Sequence, residues 1–161
     1  MLNTKLIKIV QQIKASMPKH KSISTAESCT GGMLAAYLTA ISGSSNYFAA
    51  GVVSYSNAAK IRLLSVNESS LEQFGAVSEE VAREMAIGSQ KLAKSDIAIS
   101  ITGIAGPEGG SEQKPVGTVC FGIATATKIS SYTYHLDGDR NAIREESCRV
   151  GLELLLKTLN T

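Results

Sequence analysis

Short apolar segments typical of strands alternate with amphipathic segments along most of the chain, and this alternation restricts the fold more than any other feature. Residues 3–16 carry apolar side chains at helical spacing and end before Pro18. Residues 22–26 then have strand character, and "DIAISIT" at 96–102 has the composition of a core strand. Strands that alternate with helices in this way normally build a largely parallel sheet covered by helices, so the pattern predicts an α/β protein.

The second half of the chain adds a different pattern. "TVCFGIATA" and "SSYTYHL" are two strand-like segments with a short connection around Lys128, which indicates an antiparallel hairpin. "DGDRNAIREESCRVGLELLLKTL" then predicts a turn and a closing helix. We therefore expect a single-domain three-layer sandwich over residues 1–161, with one mixed β-sheet and helices on both faces.

Three strand ends are expected to form one edge of this sheet. "GVVSYS" at 51–56 is predicted to be a buried strand, with Asn57 capping the following helix, and Ser78 is predicted to cap another helix that runs to about Leu92. Ligands of α/β sheets bind at the carboxyl ends of strands. Here those ends supply residues 27–32, 54–60 and 102–106.

Composition excludes several classes of partner. The chain has 16 basic and 14 acidic residues, a formal net charge of +2 and no block of Lys or Arg, so nothing favours nucleic acid or a membrane. The three cysteines are scattered, without the spacing of a zinc site or a disulfide framework. Neither a signal peptide nor a membrane span is evident, so we expect a cytoplasmic protein with a small-molecule partner.

Two adjacent nucleophiles stand at the first strand end, in "TAESCTGG". Ser28 needs a base to remove its proton, whereas Cys29 would be reactive by itself if a helix N-terminus stabilised its thiolate. Adjacent residues that leave a strand point in opposite directions, so only one of the two side chains readily faces a cleft. These arguments do not decide between the two residues.

Lys60 is the best candidate for a base acting on Ser28. The two histidines, His20 and His135, lie away from the predicted strand ends, whereas Lys60 lies one turn after Asn57 at one of them. To act as a base, Lys60 must lose its charge, and burial lowers the pKa of a lysine. The apolar residues on both sides of "SYSNAAK" allow such burial.

Backbone amides and a few polar side chains complete the predicted site. The amides of Thr30, Gly31 and Gly32 could hold an oxyanion, or the glycines could simply form a tight strand-to-helix turn. "TGIAGPEGG" has amides suited to a phosphate or ribose but matches no standard phosphate-binding motif. Three further side chains have both a ligand-binding and a structural explanation: Tyr55, Asn57, and Arg140, which could bind a phosphate or pair with a nearby aspartate.

Several long motifs occur together in a fixed order: "TAESCTGG", "SYSNAAK", "GAVSEEVA", "TGIAGPEGGSEQKPVGTV" and "GDR". In this combination the sequence resembles the CinA carboxyl-terminal domain family over nearly its whole length, and in particular the stand-alone nicotinamide-nucleotide amidases. The larger amino-terminal domain of full-length CinA proteins is missing from the sequence.

The resemblance implies an amidohydrolase that converts nicotinamide mononucleotide to nicotinate mononucleotide and ammonia in pyridine-nucleotide recycling, without a metal or other cofactor. It implies a Ser28–Lys60 dyad rather than Cys29, and a homo-oligomer is suggested. A non-catalytic nucleotide-binding module and a Cys29-dependent hydrolase stay open as alternatives. The substrate-binding residues that the motifs imply are Tyr55, Asn57, Thr102, Gly103, Ala105 and Arg140.

Overall fold

The computed structural model describes residues 1–161, which form one five-stranded mixed sheet covered by helices. The strands are β1 (Ile23–Glu27), β2 (Phe48–Val53), β3 (Ile97–Gly103), β4 (Thr118–Ala124) and β5 (Ile129–His135). The helices are α1 (Thr4–Ser16), α2 (Met33–Leu38), α3 (Asn57–Leu64), α4 (Glu68–Phe74), α5 (Glu79–Ala93) and α6 (Arg140–Leu159), with a 3₁₀ turn at Ser44–Asn46. None of the helices has both the length and the apolar composition needed to cross a membrane.

The strand order is β2-β1-β3-β4-β5, with β1 parallel to both β2 and β3 and with β4 and β5 antiparallel. Helices α1, α2 and α6 pack together against one face of the sheet, and α3, α4 and α5 cover the other face. The predicted α/β class, the mixed sheet and the helices on both faces are confirmed.

The two faces of the sheet differ in side-chain size. Ile99, Ile101 and Phe121 point into the main hydrophobic cluster with α1, α2 and α6. The face under α5 instead carries small residues such as Ser100 and Gly122, and the Ser100 hydroxyl donates to the carbonyl of Ala82 on α5. Small side chains allow the helix axis to approach the sheet closely.

Most of the elements predicted from the pattern are present, and their differences are local. The predicted buried strand at 51–56 is wrong in position and environment. Strand β2 spans Phe48–Val53 at the edge of the sheet, and its residues alternate between half-buried and exposed, with none buried. The cap of α3 is also not Asn57: the hydroxyl of Ser56 accepts the N–H of Ala59, and Asn57 is the first helical residue. Helix α4 was not predicted, since its seven residues show no clear apolar periodicity.

The connections place a binding crevice at the end of β1. From β1 the chain crosses through α2 to β2 on one side, and from β2 it crosses through α3, α4 and α5 to β3 on the other side. The two crossover connections lie on opposite faces of the sheet. A gap therefore forms between them at the carboxyl end of β1. Such a switch point is the usual ligand site of an open α/β sheet.

Two glycines inside helices show how closely the layers pack. A Cβ atom on Gly88 of α5 would lie 2.0 Å from the backbone oxygen of Leu64, whereas a Cβ on Gly151 of α6 would meet only side-chain methyl groups, at 3.3 Å or more. Alanine is favoured over glycine in a helix by about 1 kcal/mol. We expect Gly88→Ala to lower the free energy of unfolding by about 2 kcal/mol or more because of overpacking, and Gly151→Ala to change it by less than about 1 kcal/mol.

Urea unfolding of both variants, followed by circular dichroism, measures this difference. Equal effects of the two substitutions would contradict the close contact between α5 and the end of α3.

Candidate active site

A cavity of about 280 Å³ lies at the switch point, outside the carboxyl ends of β1 and β3 and beside the first turns of α3 and α6. Its walls come from five separate parts of the chain, which only the fold brings together. Of the residues selected from the sequence, the following line it: Ser28, Cys29, Tyr55, Asn57, Lys60, Thr102, Gly103, Ala105 and Arg140.

Ser28 and Lys60 contact each other directly in this cavity. Ser28 follows the last residue of β1, and its N–H donates to the carbonyl of Ile101 at 2.9 Å, which extends the pairing between β1 and β3. The Lys60 side chain extends from the first turn of α3, and its Nζ donates to the Ser28 Oγ at 2.9 Å. A base and a hydroxyl at this separation are within reach of direct proton transfer.

The Lys60 amine is almost completely removed from solvent, with 1% of the side chain exposed. Burial lowers its pKa from the ordinary value of 10.5. Its other two oxygen neighbours are the carbonyls of Ser54, at 2.8 Å, and Tyr55, at 3.4 Å, and no carboxylate contacts it. A neutral amine has two N–H groups and one lone pair, so it can donate to both carbonyls while the lone pair accepts the Ser28 hydroxyl.

Cys29 also borders the cavity, but its thiol forms no hydrogen bond with Lys60 and is not activated. Its side chain belongs to the hydrophobic cluster between the sheet and α6. Burial raises the pKa of the thiol to about 12, which disfavours the thiolate that the cysteine alternative requires. The N–H groups of Leu34 and Ala35 in the first turn of α2 donate to the buried carboxylate of Glu27 and not to the sulfur, so they do not offset the effect of burial.

The amides of Thr30, Gly31 and Gly32 are not brought to the cavity, contrary to the prediction. Thr30 is fully buried and its hydroxyl donates to Glu27 at 2.6 Å. The N–H of Gly31 donates to the carbonyl of Ser28 at 3.1 Å. Gly31 and Gly32 have φ of 58° and 98°, values that favour glycine, so the structural explanation of a tight turn applies to this pair.

Arg140 crosses the mouth of the cavity. One terminal nitrogen donates to the Tyr55 hydroxyl at 3.0 Å and the other to the carbonyl of Gly106 at 2.8 Å. The alternative of an ion pair with a neighbouring aspartate is not observed, and Asp139 instead caps α6. The guanidinium keeps further N–H groups for a ligand. Asn57 also borders the cavity, and its carboxamide has no hydrogen-bond partner in the protein.

The loop after β3 forms the remaining wall. The hydroxyl of Thr102 donates to the carbonyl of Ala76 at 2.9 Å, so it joins β3 to the segment before α5. The amides of Ala105 and Gly106, beside Arg140, have no acceptor in the protein. Unpaired amides next to a guanidinium form a suitable site for an anion.

Sequence reasoning missed the cavity residues Ala76, Val77 and Glu108. Ala76 and Val77 belong to "GAVSEEVA", a motif that was recognised but not assigned to the site. They lie in the connection between α4 and α5, so only the tertiary fold shows that they reach the cavity. Glu108 lies within a Gly-rich stretch whose path cannot be read from spacing.

A larger open groove of about 750 Å³ lies beside α5 and β5 and contains Glu79, Cys120 and His135. Its groups are engaged structurally, since Glu79 accepts hydrogen bonds from the hydroxyls of Ser131 and Thr133. Burial raises the pKa of Cys120. The groove therefore has no paired nucleophile and base, and no cluster of three or more potential metal-binding side chains occurs in the structure.

The fold and the site together define an α/β protein with a buried serine–lysine pair at the switch point of its sheet. The sequence matches the CinA C-terminal domain family over residues 5–159, so the chain belongs to that family. It is 47% identical over 158 residues to the nicotinamide-nucleotide amidohydrolase PncC of Shigella flexneri, a match that covers 96% of this chain and 95% of the relative.

Longer relatives carry the same unit. A CinA-like protein of Fervidobacterium nodosum is 48% identical over 134 residues, and the match covers 83% of this chain but only 33% of that protein. The chain therefore spans about a third of the length of such relatives. Among solved structures, the competence/damage inducible protein CihA of Agrobacterium tumefaciens superimposes with a TM-score of 0.94 at 37% identity, covering 100% of this chain and 99% of that one.

The lowered pKa of Lys60 makes a prediction about stability. Below pH 10.5 the unfolded chain holds a proton on Lys60 more tightly than the folded chain does, so the contribution of Lys60 to the free energy of unfolding increases as the pH rises. Lys60→Met lacks this dependence. The free energy of unfolding of the wild type, relative to that of Lys60→Met, should therefore increase between pH 6 and pH 9.5 when measured by urea unfolding. Parallel curves over this range would show that the amine is not desolvated.

Proposed function

We propose that this chain is an enzyme that hydrolyses the carboxamide of nicotinamide mononucleotide, releasing ammonia and nicotinate mononucleotide. The observation that carries the proposal is the 2.9 Å contact between the buried Lys60 amine and the Ser28 hydroxyl in an accessible cavity. The similarity along nearly the whole chain to relatives named as nicotinamide-nucleotide amidohydrolases supports the choice of substrate. In this proposal the enzyme serves pyridine-nucleotide recycling.

The reaction begins with proton transfer from Ser28 to neutral Lys60. The Ser28 oxygen then attacks the carboxamide carbon, and the carbonyl oxygen becomes an oxyanion in a tetrahedral intermediate. The new positive charge on Lys60 is stabilised by the carbonyls of Ser54 and Tyr55, which already point at the nitrogen. No reorganisation of these dipoles is needed during the step, which is the condition for electrostatic catalysis.

Collapse of the intermediate breaks the carbon–nitrogen bond. Lys60 returns its proton to the leaving nitrogen, ammonia departs, and the nicotinoyl group stays as an ester on Ser28. A water molecule then attacks the ester carbon while Lys60 accepts a proton from it, and the same proton returns to the Ser28 oxygen when the ester bond breaks. The amine therefore acts as both base and acid in each half of the reaction.

The far end of the substrate is held by the opposite wall of the cavity. Arg140 and the unpaired amides of Ala105 and Gly106 provide donors for the 5′-phosphate, and Asn57 and the last two residues of β3, Thr102 and Gly103, border the space for the nucleoside. Anchoring a charged group away from the reacting carbon orients the amide over Ser28 without blocking it.

Replacing each of the two candidate nucleophiles distinguishes a serine-dependent from a cysteine-dependent hydrolase. We expect Ser28→Ala to lower ammonia release from nicotinamide mononucleotide by about 1000-fold or more, since the nucleophile is lost, and Cys29→Ala to stay within about tenfold of the wild type. Ammonia is measured with a coupled dehydrogenase assay on purified protein.

Retained turnover in Ser28→Ala together with loss in Cys29→Ala would favour the cysteine-dependent hydrolase. Calorimetric binding of nicotinamide mononucleotide to the wild type without any ammonia release would instead favour the non-catalytic nucleotide-binding module.

The phosphate contact is tested by comparing two substrates. We expect Arg140→Met to raise KM for nicotinamide mononucleotide by about 10- to 100-fold, because a hydrogen-bonded charge is lost, and to leave kcat/KM for nicotinamide riboside within about threefold. Arg62→Met, which removes an exposed basic residue of α3, is the matched control for net charge. Equal losses on the nucleotide and the riboside would show that Arg140 does not bind the phosphate.

A further inference from the structure

Arg144 of α6 reaches the segment that joins β1 to α2, residues 28–32, which we call the elbow. Its Nε donates to the carbonyl of Cys29 at 3.0 Å and one terminal nitrogen donates to the carbonyl of Thr30 at 3.2 Å. Arg144 is half-buried and forms no salt bridge with any carboxylate. A guanidinium that binds two consecutive backbone carbonyls restrains the orientation of two consecutive peptide groups.

These contacts also fix amide directions, because each peptide group is planar and its N–H points opposite to its carbonyl. Holding the carbonyl of Thr30 sets the N–H of Gly31, and that N–H donates to the carbonyl of Ser28 at 3.1 Å. The carbonyl of Ser28 shares its peptide group with the N–H of Cys29. A continuous series of hydrogen bonds therefore leads from Arg144 to the Cys29 amide.

The Cys29 amide is the donor that this arrangement leaves free. It donates to no oxygen of the protein, it belongs to the residue directly after Ser28, and Cys29 borders the cavity. The amide after a nucleophile is well placed to bind the oxyanion, since it lies beside the atom that attacks.

We propose that the backbone N–H of Cys29 binds the oxyanion and that Arg144 is the positioning residue that orients it. This inference rests on the proposed amidase function. It replaces the amides of Gly31 and Gly32, since neither glycine lines the cavity and the N–H of Gly31 already donates to the carbonyl of Ser28. Residue 29 then acts through its backbone and not through its thiol.

Glu27 is a second side chain that restrains the same elbow. Its carboxylate is 1% exposed and accepts three hydrogen bonds, from the Thr30 hydroxyl and from the N–H groups of Leu34 and Ala35. Glu27 thus fixes the elbow to the start of α2, while Arg144 fixes it to α6. Arg144 makes the only side-chain hydrogen bonds to the peptide groups that lead to the Cys29 amide, and the carbonyl of Thr30 also accepts the N–H of Met33 at 3.0 Å.

The role of Arg144 is separable from that of the base. The lowered pKa of Lys60 results from burial, and Arg144 does not contribute to it. Loss of Arg144 should therefore weaken stabilisation of the oxyanion while the pH dependence of kcat/KM, which reports the base, is retained.

The test compares nicotinamide mononucleotide with thionicotinamide mononucleotide, in which sulfur replaces the carboxamide oxygen and accepts hydrogen bonds poorly. We expect Arg144→Met to lower kcat for the oxygen substrate by about 10- to 100-fold with KM within about threefold of the wild type, as for loss of an oxyanion donor. The sulfur substrate should lose less, so the ratio of kcat/KM for oxygen over sulfur should fall by roughly fivefold or more. Arg144→Lys, which keeps the charge but not the fork, should show a smaller effect in the same direction.

Arg149→Met is the matched control, because Arg149 lies on the same helix and pairs only with the surface carboxylates of Glu146 and Glu153. It should leave kcat and the oxygen-to-sulfur ratio unchanged, and thermal unfolding of all variants verifies that they are folded.

Equal losses on both substrates in Arg144→Met and Arg144→Lys would overturn the inference and assign Arg144 a purely structural role. If the wild type released no ammonia from nicotinamide mononucleotide, the proposed function itself would fail and this inference would fall with it.

Discussion

The other parts of the site depend on the burial of the Lys60 amine against the Ser28 hydroxyl. An amine removed from water must satisfy its hydrogen-bonding groups inside the protein, and Lys60 does so with the carbonyls of Ser54 and Tyr55 and with Ser28. Those carbonyls are available because β2 ends at Val53 and the chain turns before α3 begins. The parallel pairing of β1 with β2 then brings Ser28 to the same edge of the sheet. A change in any of these elements would leave a polar group buried without a partner.

The second feature on which the site depends is the elbow after β1, residues 28–32. Here the main chain must leave a strand, turn and enter a helix while it keeps Ser28 in the cavity. Two side chains restrain it: Glu27 binds the start of α2, and Arg144 reaches it from α6. Catalytic groups held by hydrogen bonds to rigid elements keep their positions better than groups on a free loop. The tight turn at Gly31 and Gly32 belongs to this restraint.

The predictions from sequence succeeded where a local pattern decides the structure and failed where the neighbours decide it. Helix α5 and its Ser78 cap follow from periodicity and capping, and both are observed. The burial of β2 could not be predicted, because "GVV" has the same composition in an edge strand as in a central one, and only the strand order makes β2 an edge. The positions of Thr30, Gly31 and Gly32 away from the cavity could not be predicted either, since the sequence does not show that Thr30 turns toward the buried carboxylate of Glu27.

The sequence by itself determined which residue types stand at the strand ends, and hence an α/β fold with candidate nucleophiles, a lysine and an arginine near one edge of a sheet. That much follows because periodicity, glycine and capping residues act over a few positions of the chain. The tertiary structure alone decided that Ser28 and not Cys29 meets Lys60, and that Arg140 faces the cavity while Arg144 holds the elbow. These outcomes depend on contacts between residues that are 32 to 115 positions apart, and their geometry is set only when the layers pack.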